Sequence, residues 1–132
     1  MSILNTVSLG LAGSLLAMAA QAASPSPLYT AAQASAGAAA YAQNCAMCHG
    51  ANLGGGGGPA LVGPSVASAT VGSVFSVLAR QMPATNPGGL SHTQYDDIMA
   101  YVLQKNGDPA GVTPISYDTA MSDTTPLLSQ AK

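Results

Sequence analysis

Tryptophan and glutamate are absent from this 132-residue chain, phenylalanine occurs once, and lysine and arginine together number three. Each shortage excludes something. With only Arg80, Lys105 and Lys132 as cations, the chain cannot present the clustered positive charge that neutralises phosphates, which excludes nucleic acid as a partner class. Anionic membrane surfaces are disfavoured for the same reason. The shortage of bulky aromatic side chains, against many Gly and Ala, leaves little material for a core, so a chain of single-domain length needs something large to pack around. Its two cysteines lie three positions apart, and a bridge between them would close almost no loop, which excludes a disulfide scaffold.

Long hydrophobic runs are also scarce. Ile3 to Ala20 is small and apolar without a charged side chain and ends in Ala20-Gln21-Ala22, which predicts an export signal over residues 1–22. No Lys or Arg precedes the run, a departure from the usual signature. A membrane anchor is the alternative, but Ser8, Gly10, Gly13 and Ser14 interrupt a stretch that would need about 20 strongly apolar residues to span. Nothing later in the sequence approaches that length, so the mature chain is expected to have no stable membrane span and to reside in the periplasm.

After the signal, Ser24-Pro25-Ser26-Pro27 predicts a flexible lead-in over 23–34. The Ala-rich stretch from Ser35 to Cys45 predicts a first helix with Gly37 and Tyr41 on one face. Gly54 to Gly58, followed by Pro59 and Gly63, forces a loop. Val71, Val74, Phe75, Leu78 and Met82 recur at helical spacing, and Pro83 ends that helix. Ser91 and Gln94 form a capping box for a helix from about His92 to Asn106, buried along Tyr95, Ile98, Met99 and Val102 and closed by Lys105 and Gly107. Residues 108–132 show no period and read as an extended tail wrapping a surface.

The chemistry lies in Cys45-Ala46-Met47-Cys48-His49, a C-x-x-C-H pentapeptide, the attachment sequence for c-type haem. Two thiols three apart reach the two vinyl groups of one porphyrin, and the adjoining imidazole then supplies the proximal ligand. Two other readings use the same residues. A haem-free dithiol oxidoreductase leaves His49 unexplained and lacks the expected strand-helix-strand alternation. A zinc site would draw on Cys45, Cys48, His49 and His92, which offer one couplet where structural sites pair two. For the sixth position Met82 is the candidate, 33 residues beyond His49 in a loop broken by Pro83, Pro87 and Gly88-Gly89. His92 is the rival, read as a surface histidine in the first turn of a helix, with Met121 behind it; Met99 reads as core and Met47 lies within the attachment turn. Arg80, the only arginine, stands two residues before Met82, where it would hold a haem propionate or remain a solvated helix residue.

With these residues in place the chain resembles a class I monohaem cytochrome c over roughly residues 35–107. Gly37, Tyr41, Cys45, Cys48 and His49 match the first helix and attachment site; Gly50, Gly58, Pro59 and Leu61 match the loop that follows. Met82-Pro83, Pro87 to Ser91 and Tyr95 to Leu103 are similar to cytochromes that serve bacterial quinoprotein alcohol dehydrogenases. The resemblance implies an all-α fold, a small cytochrome c domain of three to four helices around one covalent haem, with the C-terminal tail appended. It implies that the Pro59 carbonyl accepts a bond from the His49 imidazole, and that Gly37 and Tyr41 cross Tyr101. The function it implies is single-electron transfer, with a periplasmic dehydrogenase as donor and an oxidase or another cytochrome of the respiratory chain as acceptor, the protein being a carrier, free or as a subunit of a complex, and no enzyme. A haem protein with a labile sixth ligand, acting on a gas or peroxide, is the alternative.

Overall fold

The computed structural model describes residues 26–128, so the expected signal over 1–22 lies outside the described residues. Helix dominates. Strand β1 (Tyr29–Thr30) leads directly into helix α1 (Ala31–Asn44); a single turn, α2 (Ala46–His49), follows after Cys45 breaks the axis. A loop with a short 3-10 turn (Gly63–Val66) connects to α3 (Val71–Gln81), a second loop to α4 (His92–Asn106), and the chain ends with β2 (Ala110–Gly111) and α5 (Tyr117–Met121). Among the described residues no helix is long and apolar enough to cross a membrane.

Each long helix begins with a reciprocal cap. Thr30 with Gln33, Thr70 with Ser73, and Ser91 with Gln94 exchange side-chain and backbone bonds, satisfying donors that a helix start leaves unpaired. Gly107 closes α4 in the left-handed conformation. The helices meet through their apolar stripes: Tyr41 of α1, Val71 and Phe75 of α3, and Tyr95, Ile98, Met99, Val102 and Leu103 of α4 are buried. Helices α1 and α4 cross at Gly37, where a methyl group would fall 1.8 Å from the Asp97 carbonyl oxygen. One turn on, the rings of Tyr41 and Tyr101 pack with centroids 5.4 Å apart.

One sequence expectation is corrected and another gains detail. The lead-in is not flexible from Tyr29 onward: β1 pairs in parallel with β2, and the Tyr29 ring is buried with its hydroxyl donating to the Asp108 carbonyl at 2.7 Å. Helix α1 accordingly starts four residues earlier than the Ala-rich run suggests. The tail after 108 wraps a surface as expected, and it is fixed there. Gln33 clamps it, its Nε2 donating to the Ile115 carbonyl (2.8 Å) and its Oε1 accepting from the Ile115 amide (3.0 Å). Tyr117 then wedges edge-on against Phe75, and the last segment lies across the start of α3. There the Val71 and Gly72 amides, which have no partner within their own helix, donate to the carbonyls of Thr125 and Asp123.

Candidate haem-binding site

Between α1, the post-attachment loop, α3 and α4 lies a cavity of about 560 Å³. Cys45, Cys48 and His49 form one wall; Met82 and Pro83 line it from the end of α3; Val74, Leu78, Ile98 and Val102 close the sides. No Asp, Lys or Arg contributes to the lining among the described residues.

The attachment turn is shaped by local bonds. The Cys48 and His49 amides both donate to the Cys45 carbonyl, which makes the pentapeptide one helical turn and turns both thiols and the imidazole toward one space. Just beyond it, the Tyr41 hydroxyl donates to the Gly50 carbonyl at 2.7 Å. Burial, with smaller contributions from the neighbouring Cys45 and Tyr101, pushes the Tyr41 hydroxyl up to about 12, so it stays a donor across the physiological range. Gly50 itself takes φ of 79°, a conformation other residues rarely adopt.

His49 is buried, with Nδ1 2.8 Å from the Pro59 carbonyl oxygen. That contact assigns the proton to Nδ1 and leaves Nε2 as the ring's free lone pair, the arrangement a metal-bound imidazole requires. The loop carrying Pro59 reaches the ring only because Gly58 has no side chain: a Cβ there would sit 2.9 Å from His49 Cε1. The glycine run read from the sequence as a loop thus has a second task, close cover of the histidine.

Met82 caps α3, with its carbonyl accepting from the Tyr95 hydroxyl (2.7 Å) and from the Gly88 amide (3.3 Å). Leu61 and Pro59 line the cavity as expected. Arg80 does not line it: its side chain is exposed, outside the wall that α3 builds from Ser73, Val74, Val77 and Leu78.

The rival ligands are elsewhere. His92 lies flat on Tyr117, centroids 3.7 Å apart, away from the cavity; Met121 packs against the core, and Met99 is buried in it without lining the cavity. The zinc reading fails because no group of three His, Cys or Asp side chains converges among the described residues. The dithiol reading is opposed by Cys45, whose thiol burial pushes upward, the reverse of a reactive thiolate.

Sequence reasoning missed Asn106. Fully buried, its amide donates to the carbonyls of Leu61 and Val102 (both 2.9 Å) and accepts from the Gly63 amide (3.2 Å), tying the loop after the attachment turn to α4. A polar residue on the last turn of an otherwise apolar stripe was the available signal.

A large, uncharged, mostly apolar cavity with two free thiols and an oriented imidazole on one wall and a thioether facing the same space fits a covalent iron porphyrin. Comparison with known proteins agrees. Residues 32–102 match the family model described as cytochrome c oxidase, cbb3-type, subunit III. Among solved structures, the sulfane dehydrogenase SoxCD from Paracoccus pantotrophus is similar in fold, with a TM-score of 0.54 and 24% identity over 70% of this chain and 53% of that one. This chain therefore spans about half the length of that neighbour. No curated protein sequence matches.

Proposed function

Since this chain belongs to the family described as cytochrome c oxidase, cbb3-type, subunit III, and so carries one covalently bound haem c and serves electron transfer, we propose that it is a periplasmic carrier taking single electrons from a dehydrogenase. It passes them to an oxidase or another cytochrome. The observation that carries this reading is the pairing, across one uncharged cavity, of a His49 imidazole oriented by Pro59 with the Met82 thioether. Haem iron held by His and Met cycles between ferrous and ferric states and leaves no open position for a substrate.

The residues divide the work. Cys45 and Cys48 tether the porphyrin through thioethers. His49 is the proximal ligand, and the Pro59 carbonyl holds its proton at Nδ1, raising the basicity of Nε2. Met82 supplies a neutral sulfur, which favours the reduced state. Val74, Leu78, Ile98 and Val102 exclude water.

Docking follows from the rim. Of the large hydrophobic side chains exposed among the described residues, Met47 (89% exposed) and Val77 (44%) both stand at this cavity. With no charged side chain in the cavity wall and Arg80 the one cation on α3, the partner is met through a nearly neutral surface. Export rests on the signature over residues 1–22, and a dehydrogenase as donor is favoured by the structural likeness to a sulfane dehydrogenase.

Absorption spectra of the mature protein and of Met82→Ala test the reading. Low-spin haem with a methionine-to-iron charge-transfer band is expected, and the band is expected to vanish in the variant. A high-spin ferric spectrum of the unaltered protein would replace this reading with the gas- or peroxide-binding alternative.

A further inference from the structure

Tyr95 sits in the first turns of α4, yet its hydroxyl reaches outside that helix in two directions. It donates to the Met82 carbonyl at 2.7 Å and accepts from the Leu90 amide at 3.3 Å. Met82 and Leu90 are the two ends of the loop that links α3 to α4. One buried hydroxyl therefore closes that loop at its base, while the Gly88 amide, bonded to the same Met82 carbonyl, closes it from within.

The ring is held as firmly as the hydroxyl. Tyr95 is 1% exposed, and Tyr117, delivered by the C-terminal segment, packs against it with centroids 6.4 Å apart. Tyr117 is itself fixed on its other sides by Phe75, edge-on at 5.3 Å, and by the His92 ring stacked at 3.7 Å. A side chain from the tail thus backs the residue that holds the loop.

We propose that Tyr95 is a positioning residue for the sixth ligand, with Tyr117 as its support, so that the C-terminal segment governs how readily Met82 leaves the iron. The inference rests on Met82 being that ligand. The argument is one of entropy. A thioether at the end of a free loop loses backbone freedom each time it binds. Fixing the Met82 backbone beforehand removes that cost, so the methionine competes better with any ligand arriving from solvent. Tyr95 touches neither iron nor porphyrin in this role.

Exogenous imidazole is the probe, titrated into the ferric holoprotein of the full chain, alongside the methionine-to-iron band and the thermal midpoint. For Tyr95→Phe, which keeps the ring and removes the hydroxyl, imidazole affinity is expected to rise about fivefold, the effect of one ordinary hydrogen bond. Tyr117→Leu is expected to shift it about twofold in the same direction, and Tyr117→Phe to leave it unchanged. A Tyr95→Phe protein that unfolds earlier but binds imidazole as the unaltered protein does would overturn the proposal, because a purely structural tyrosine behaves that way. Should Tyr95→Phe fail to accumulate as holoprotein, Tyr117→Leu decides: raised imidazole affinity supports the proposal, and affinity equal to that of the unaltered protein overturns it. An unaltered protein without the charge-transfer band removes the Met82 reading and this one with it. A band lost in Met82→Ala, with unchanged imidazole binding in Tyr95→Phe, removes this one alone.

Discussion

Replacing Gly37 by alanine sets two well-known effects against each other and lets the structure decide the sign. In the middle of an exposed helix the exchange stabilises, by about 1 kcal/mol, because glycine loses more backbone freedom on folding. At the α1–α4 crossing, however, the added Cβ would lie 1.8 Å from the Asp97 carbonyl oxygen, 2.5 Å from its carbonyl carbon and 3.0 Å from Tyr101 Cβ. Ordinary carbon–oxygen contact begins at about 3.3 Å, so the helices must part by roughly 1.5 Å. The obstructing atoms are main chain, not the end of a flexible side chain, so no rotamer change relieves them. Overpacking of this kind costs about 3 kcal/mol, and parting the helices also loosens the Tyr41–Tyr101 contact, worth about 1 kcal/mol. The net is a loss of about 3 kcal/mol after the propensity gain is subtracted. Urea unfolding of the holoprotein, followed by circular dichroism and by the Soret band, measures it. A Gly37→Ala protein as stable as the original, or more so, would refute the claim that the helices touch through their backbones here.

Three further outcomes are expected. Asn106→Ala strands the buried Gly63 amide and Leu61 carbonyl and should destabilise by about 3 kcal/mol in the same urea assay, whereas an exposed asparagine would cost almost nothing. Burial raises the Asp108 carboxyl to about 6, against 3.8 unperturbed, so the folded chain binds a proton that the unfolded chain has already released; stability therefore falls as pH rises from about 4 to 6, by up to about 3 kcal/mol, and levels off above. Asp108→Asn should flatten that slope, and an unchanged pH profile would refute the assignment. Electron-transfer rates with a redox partner should change little between low and physiological salt, since no charged side chain lines the cavity; a steep fall would refute docking through a neutral surface.

Local chemistry was legible and long-range chemistry was not. The C-x-x-C-H turn, the Ser91–Gln94 cap, the Gly107 stop and the buried stripe of α4 all depend on residues within a few positions of one another, and the structure shows them where the pattern put them. Thr30-x-x-Gln33 has the same form of cap, but the prolines before it suggested disorder, and what orders Tyr29 is a carbonyl 79 residues away. The tail carries no period because its order comes from main-chain bonds to α3 and from the Gln33 amide, neither of which leaves a spacing in the sequence. For Arg80, proximity to Met82 along the chain left two roles open, because it says nothing about which way a helical side chain turns. Asn106 looked like an ordinary helix ending, and only the arrival of the loop at Leu61 and Gly63 gives its amide three partners.

The bond from Tyr29 to Asp108 and the clamp from Gln33 to Ile115 join the beginning of the fold to its end, 79 and 82 positions apart. Closures of that span come late, since so much chain must be gathered before any contact rewards it. A polypeptide emerging from the ribosome therefore presents its cysteines long before it presents the residues that shut the domain. Through that interval the two sulfurs remain on an open strand, reachable by whatever delivers the pigment, and the lid arrives afterwards.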